Sequence, residues 1–269
     1  MNYLLPQADL KDFLEEKYKL YASPAFIEND PIQIPRRYKR PEDIEIAAFM
    51  AATLAWGQRS MIIRYVRSFL ERMGESPYDF VCHFKQKHHK IFEHYKYRTF
   101  CQTDCISFLN ALKNINLNHG GLQKVFNDGF QQHQSILGTL AFFRNVFVSD
   151  GFAFRSVKHV SNVGKGSAAK RLNMFLRWMV RPNKEGVDFG LWKTIPPSAL
   201  MLPLDVHTAR VSRLLGLLKR KQNDWKAVEE VTANLCTFDP SDPVKYDFAL
   251  FGLGIFEKFG KDEQHIFQV

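Results

Sequence analysis

Apolar residues recur at three- and four-residue steps along most of this chain and almost nowhere alternate. Residues 7–22 place Leu10, Phe13, Leu14, Tyr18 and Leu20 near one side of a helix. Residues 23–41 break that rhythm with prolines, read as extended, and end in the basic cluster PRRYKRP. Pro41-Glu42-Asp43 then predicts a helix start, because proline suits the first helical position and acids suit the positive end of the dipole. The run that follows, DIEIAAFMAATLAW, is apolar nearly all round and predicts a core helix. Gly57-Gln58-Arg59-Ser60 stops it, and MIIRYVRSFLERMG starts another. Further helical segments are expected at 102–115, 121–130 and 134–148. Residues 82–100 interleave Lys85, Lys87, Lys90, Lys96 and Arg98 with aromatics, as an amphipathic helix surface or a strand-contacting run would.

The pattern continues after Gly164-Lys165-Gly166. Ala168, Leu172, Phe175, Leu176 and Met179 form one helical stripe, and Lys170, Arg177 and Arg181 fall opposite it. That charged side reads either as a solvated face or as a cationic rail for a polyanion. A turn-rich crossover, RPNKEGVDFGLWKT, leads to Asp205, which has the form of an N-cap for VHTARVSRLLGLL. His207 shares a side with Val211, Leu214 and Leu218 and reads as packed. Asn223 or Asp224 is expected to cap WKAVEEVTANLCTF, and Asp242-Pro243 to open VKYDFALFGLGIFEKF. No hairpin signal joins alternating apolar runs, so the expectation is all-α with roughly ten helices.

Composition narrows the class. Length suffices for one large domain or two lobes, and 45% apolar residues exclude a disordered chain. No stretch approaches the roughly 20 apolar residues of a membrane span. The acid-bearing start lacks the apolar run of a signal peptide, which points to a cytoplasmic protein without a membrane partner. Cys82, Cys101, Cys105 and Cys236 match neither a zinc set nor a four-cysteine cluster, so neither metal nor cofactor is expected. A formal charge of +9 attracts a phosphate polymer, with salt-dependent binding.

Two residues then stand out: Lys170 and Asp205, 35 positions apart and each near the start of a predicted helix. Gly164, Lys165 and Gly166 precede the lysine, and two glycines let backbone amides approach a phosphate closely, although ordinary turns share this form. A capping carboxylate held by backbone N–H groups stays ionised and oriented, which suits it to steady a cationic transition state. Arg171, Arg177 and Arg210 are candidate phosphate contacts. Phe189 and Trp192 are candidates for stacking on a base, with core packing as the plain alternative.

These segments carry a resemblance. PLDVHTARVSRLLGL resembles the aspartate segment of the helix-hairpin-helix DNA glycosylases, and GSAAKRLNMFLRWMV with its distant lysine is most similar to the archaeal 8-oxoguanine glycosylase/AP lyase branch. TLAWGQRSM resembles the superfamily's Leu-x-x-Gln segment, which implies that Gln58 fills the gap left by an extruded nucleotide. The resemblance covers about 164–255, is patchy over 43–80 and is absent over 81–150. The usual Leu-Pro-Gly-Val-Gly hairpin is missing, and so is the iron–sulfur cysteine set. Aligning Ser161–Gly166 on that hairpin would put Gly166 in the lysine slot, whereas the apolar helix that follows favours Lys170.

The resemblance implies a two-lobed helical fold with the site in the cleft between lobes. Lobe A would span 42–200 with a hairpin-like turn at 162–167, and lobe B would take 1–41 and 201–269. It further implies a monomer acting on double-stranded DNA with a damaged base. Lys170 would attack the sugar C1′ and release the base, the Schiff base would permit β-elimination, and Asp205 would orient and stabilise. A lysine amine needs burial or cations such as Lys165 and Arg171 nearby to attack in its neutral form. A helical nucleic-acid-binding module without chemistry, and a helical protein-interaction domain, are the alternatives.

Overall fold

Helical periodicity is realised almost throughout. The computed structural model describes residues 6–149 and 151–260, and over these the protein is all-α. The helices are α1 (Gln7–Tyr21), α2 (Pro41–Thr53), α3 (Arg59–Glu71), α4 (Pro77–Cys82), α5 (Gln102–Asn118), α6 (Leu122–His133), α7 (Ile136–Phe147), α8 (Lys170–Val180), α9 (Val206–Leu214), α10 (Trp225–Cys236) and α11 (Asp247–Ile255). A two-residue hairpin, β1 (Lys96–Tyr97) with β2 (Phe100–Cys101), is the sheet among the described residues.

Two stretches depart from expectation. Residues 23–41 are not simply extended but form three 3₁₀ turns, Pro24–Asn29, Pro31–Gln33 and Pro35–Arg37. The prolines favour such short turns because each fixes φ and removes a donor. The aromatic-basic run is no amphipathic α-helix either. It forms a 3₁₀ turn, Gln86–Phe92, and then the hairpin, burying Phe84, Phe92, Tyr95, Tyr97 and Phe100.

The chain divides into two units. A terminal unit takes the chain up to Phe26, Lys165–Gly190 and the chain from Pro196 onward; a central unit takes Ile27–Gly164 and Leu191–Ile195. This division differs from the expected lobes, because 165–190 belongs with the C-terminal helices and 27–41 with α2–α7. In the terminal unit α1 and α9 pack on α11, around Leu10, Leu14, Leu204, Val211, Leu250 and Leu253. The central unit is built on aromatic contacts: Phe49 meets Phe108, Phe143 and Phe147 at 5.2–6.4 Å between ring centroids. Residues 43–53 of α2 are buried in succession, as its all-round apolar sequence predicts. Asp43 does more than favour the dipole, since its carboxylate accepts from Ser76 Oγ at 2.9 Å and Tyr78 N at 2.8 Å at the start of α4.

Candidate active site

Lys170 is the first residue of α8, and the chain before it explains why the helix begins there. Gly166 O accepts from Trp225 N at 3.0 Å, and Ser167 pairs with Asp224 in an antiparallel bridge. Those bonds fix the turn at Gly166 and the backbone of Ser167 against the start of α10. Ala169 then turns the chain through a left-handed conformation, φ +47°, unusual for a residue with a Cβ. The Lys170 side chain is half-buried, and Nζ donates to Met174 Sδ at 3.5 Å, one helical turn on. A thioether is a weak acceptor. Lys170 takes part in no ion pair among the described residues, so its charge is available.

Asp205 is the N-cap of α9, as its sequence context predicts. Oδ1 accepts from His207 N at 2.8 Å and Thr208 N at 3.0 Å, while the Thr208 hydroxyl accepts from Asp205 N at 2.8 Å. The reciprocal bonds fix the carboxylate through one oxygen. Oδ2 makes no hydrogen bond among the described residues and remains open to a ligand.

The expected cationic face of α8 is corrected by the structure. Leu172–Val180 are all buried, and Arg177 and Arg181 lie inside the terminal unit rather than along its surface. Arg177 Nε contacts Asp188 Oδ1 at 3.3 Å and its Nη1 pairs closely with Asp247 Oδ2. Arg181 contacts Asp188 Oδ2 at 3.1 Å and Asp242 Oδ2 at 2.8 Å. The Arg177 guanidinium also lies 4.4 Å from the Phe248 ring centroid. Opposite charge and aromatic faces offset the desolvation of two arginines, so Arg177 is a structural residue and not a phosphate contact. Asp242 accordingly does not cap the C-terminal helix. A 3₁₀ turn, Pro243–Tyr246, precedes α11, and the Asp242 carboxylate serves Arg181.

Asp247, the first residue of α11, was not singled out from sequence. It is buried, Oδ2 is held by Arg177, and Oδ1 has no hydrogen-bond partner. Burial pushes its carboxyl up to about 6; Arg177 pulls it down, Asp205 raises it and Lys170 lowers it. The charges of Lys170 and Asp205 therefore act on one buried carboxylate, although the three residues are far apart in the chain. The signal in the sequence was an acid beside the apolar run FALFGLG, since a buried polar residue is more informative than an apolar one.

The other sequence-predicted residues are dispersed. Arg171 follows Lys170 and is half-buried, with burial pushing its guanidinium down to about 10. Arg210 is corrected: it donates to Phe259 O, and to Gly254 O at 3.2 Å, closing α9 against the end of α11 instead of reaching outward. Gly164, Lys165 and Gly166 form an exposed turn in which Gly166 has φ +81°, a backbone state that favours glycine. Phe189 is half-buried and its amide donates to Trp178 O at 2.8 Å. Trp192 is fully buried in the central unit, where its Nε1–H donates to Glu45 Oε1 at 2.8 Å and its ring lies 5.3 Å from Phe126. That correction follows from the indole having both a polar partner and an aromatic neighbour, which leaves no face for a base. Burial pushes the Glu45 carboxyl up to about 7 despite this bond. Gln58 is exposed in the central unit, and its side chain caps nothing at the start of α3.

A cavity of about 540 Å³ also lies in the central unit, lined by Ser107, Asn110, Asn114, Phe147 and Phe152 among others. None of the sequence-predicted residues lines it. No group of three or more potential metal ligands occurs among the described residues.

What the fold defines is an all-α protein in which Lys170 opens α8, Asp205 caps α9, and the charges of both bear on the buried Asp247 carboxyl. The chain belongs to the family described as Protein of unknown function (DUF2400), which matches residues 30–256. No curated protein and no solved structure matches it.

Proposed function

We propose that the protein is a DNA glycosylase with associated AP lyase activity, acting through Lys170 with Asp205 as its acid partner. One observation carries the reading: Lys170 and Asp205 both act electrostatically on Asp247, whose Oδ1 is a buried acceptor with no donor. A lysine committed to the fold would have a carboxylate partner, and this one has a thioether. A buried acceptor costs about 1–3 kcal/mol when left unmade, so a ligand that donates to this oxygen would gain from it. The N–H edge of a nucleobase supplies such donors.

The chemistry uses each group once. The neutral Lys170 amine forms the Nζ–C1′ bond as the glycosidic C1′–N bond breaks and the base leaves with the electron pair. Asp205 Oδ2 accepts the proton that the attacking amine sheds, and its charge stabilises oxocarbenium character at C1′. Ring opening, with O4′ taking up the proton held by Asp205, gives a Schiff base, and transfer of a 2′ proton to water then expels the 3′ phosphate by β-elimination. Extruding the nucleotide costs a few kcal/mol, less when the base is damaged.

Borohydride reduction during incubation with duplex DNA carrying 8-oxoguanine or an abasic site tests this. We expect a covalent adduct with the parent protein and none with Lys170→Gln. An adduct that persists in Lys170→Gln, or a parent protein that forms none, overturns the assignment.

A further inference from the structure

The central unit carries a second feature that the chemistry of Lys170 does not use. At its surface Phe154 is 93% exposed, far more than a large apolar side chain in a packed turn. The next residue, Arg155, ties this turn to the β1–β2 hairpin: Nη2 donates to Thr99 O at 3.4 Å, and Nη1 lies 3.1 Å from Asp104 Oδ2. The hairpin turn in its turn leans on the chain before α3. Tyr97 OH donates to Trp56 O at 2.5 Å, and Arg98 Nη1 lies so close to Gly57 that a Cβ there would come within 2.8 Å of it. Arg98 has φ +53° and Gly57 φ +111°, so both backbones are bent to allow this approach.

Three chain segments, carrying the exposed Phe154, the exposed Lys96 and Arg98, and the exposed Gln58, are thus tied to one another through Arg155, Tyr97 and Arg98. The side chains of Arg98, Lys96 and Gln58 make no hydrogen bond or ion pair among the described residues, and all three residues are exposed. Asp104, fully buried, is engaged by Arg155 rather than by Arg98 or Lys96. Unpaired cations beside an exposed ring match a polyanion whose repeating units also carry flat aromatic faces.

We propose that this surface grips a DNA strand, with Phe154 stacking on a base and Arg98 and Lys96 neutralising adjacent phosphates. The choice of DNA over RNA rests on the proposed function, whereas the strand-binding surface itself does not. Fluorescence anisotropy of the full chain on a duplex with one tetrahydrofuran abasic analogue, across a salt series, tests it. Phe154→Ala is expected to weaken binding roughly tenfold without changing the salt slope, consistent with loss of one stacking contact. Arg98→Ala is expected to reduce the slope of log K against log salt by about one. A 2-aminopurine beside the analogue reports stacking directly: its fluorescence change on binding is expected to vanish in Phe154→Ala and return in Phe154→Trp.

Unchanged affinity and unchanged fluorescence in Phe154→Ala overturn the proposal. So does a concentration-dependent dimer in sedimentation that Phe154→Ala disperses, which would make this an interface between copies of the chain. Failure here is separable from failure of the enzyme reading. Lost borohydride trapping with Phe154-dependent binding removes only the latter, and intact trapping with Phe154-independent binding removes only the former.

Discussion

Each unit buries an aspartate beside arginine, and the two are held in opposite ways. In the central unit Asp104 is fully buried and both oxygens are occupied. Oδ1 accepts from Ser156 Oγ at 2.6 Å, and Oδ2 accepts from Cys101 N at 2.8 Å and contacts Arg155 at 3.1 Å. In the terminal unit Asp247 has one oxygen on Arg177 and one on nothing. A saturated buried acid ties helix α5 to the turn at Phe154–His159. An unsaturated one, in the field of a lysine and a second aspartate, is what the proposed function assigns to a ligand. Polar satisfaction distinguishes a structural from a functional charge here, where burial alone does not.

The largest effect should come from breaking the saturated site. Asp104→Ala leaves the Ser156 hydroxyl and the Cys101 amide without their acceptor, at about 1–3 kcal/mol for each buried group, while the exposed Arg155 can return to water. Urea unfolding should show that loss in the midpoint. If Asp104→Ala is as stable as the parent, the contrast between the two acids has no energetic content.

Asp247→Asn should behave differently, because asparagine keeps an acceptor toward Arg177 and removes a charge that burial disfavours. The folded carboxyl sits at about 6, above the usual carboxylate range. Its proton-linked contribution to stability is therefore fully present below about pH 4 and lost as pH rises through 6, on the order of 2–3 kcal/mol in all. Relative to Asp247→Asn, the parent should lose that much stability between pH 4 and pH 8. Urea titrations of both proteins across this range measure it, and a flat difference would show that Asp247 is not held protonated by its surroundings. Adduct yield should fall at least tenfold in the same variant.

Much of this was written in the sequence, and what was not shares one cause. Helix starts at Pro41, Val206 and Trp225 follow from local caps and periodicity and appear where those signals place them, whereas α8 begins at Lys170, two residues after the Ala168 that opens its apolar stripe. The fate of the α8 arginines was illegible because, besides the shared Asp188 11 and 7 residues on, their acids lie 70 and 61 residues downstream, at Asp247 and Asp242. Helical projection placed Arg177 and Arg181 together correctly but had no means of showing what faces them. The partner that settles Trp192 in favour of core packing over stacking was illegible for the same reason, since Glu45 is 147 residues away. Lys170 and Asp205 could be singled out because each stands at a helix start. Asp247 stands at one too, but the nearby Asp-Pro pair offered the more familiar cap.

A smaller effect should separate capping from chemistry at Asp205. Asp205→Asn retains a capping oxygen for His207 N and Thr208 N, so its stability should stay within about 0.5 kcal/mol of the parent. Asp205→Ala should lose about 1 kcal/mol by comparison. Turnover should collapse in both. Thermal unfolding and adduct formation measured together decide the matter: turnover that survives in Asp205→Asn makes the residue a cap and nothing more.

The smallest expected change in stability is at Lys170 itself. Its ammonium gives the fold one weak contact, to Met174 Sδ at 3.5 Å, and no ion pair. Lys170→Met keeps most of the aliphatic stem against α8 and removes only the charge, so stability at pH 7 should shift by no more than about 0.5 kcal/mol. The same substitution removes a charge that lowers the Asp247 carboxyl. The stability difference between Lys170→Met and Lys170→Met/Asp247→Asn should therefore change over a window centred above pH 6, higher than in the parent. Coupling of this kind requires the lysine and the buried acid to share one electrostatic environment. If the window does not move, Lys170 is an isolated surface cation, and the grouping on which the enzymatic reading rests does not exist.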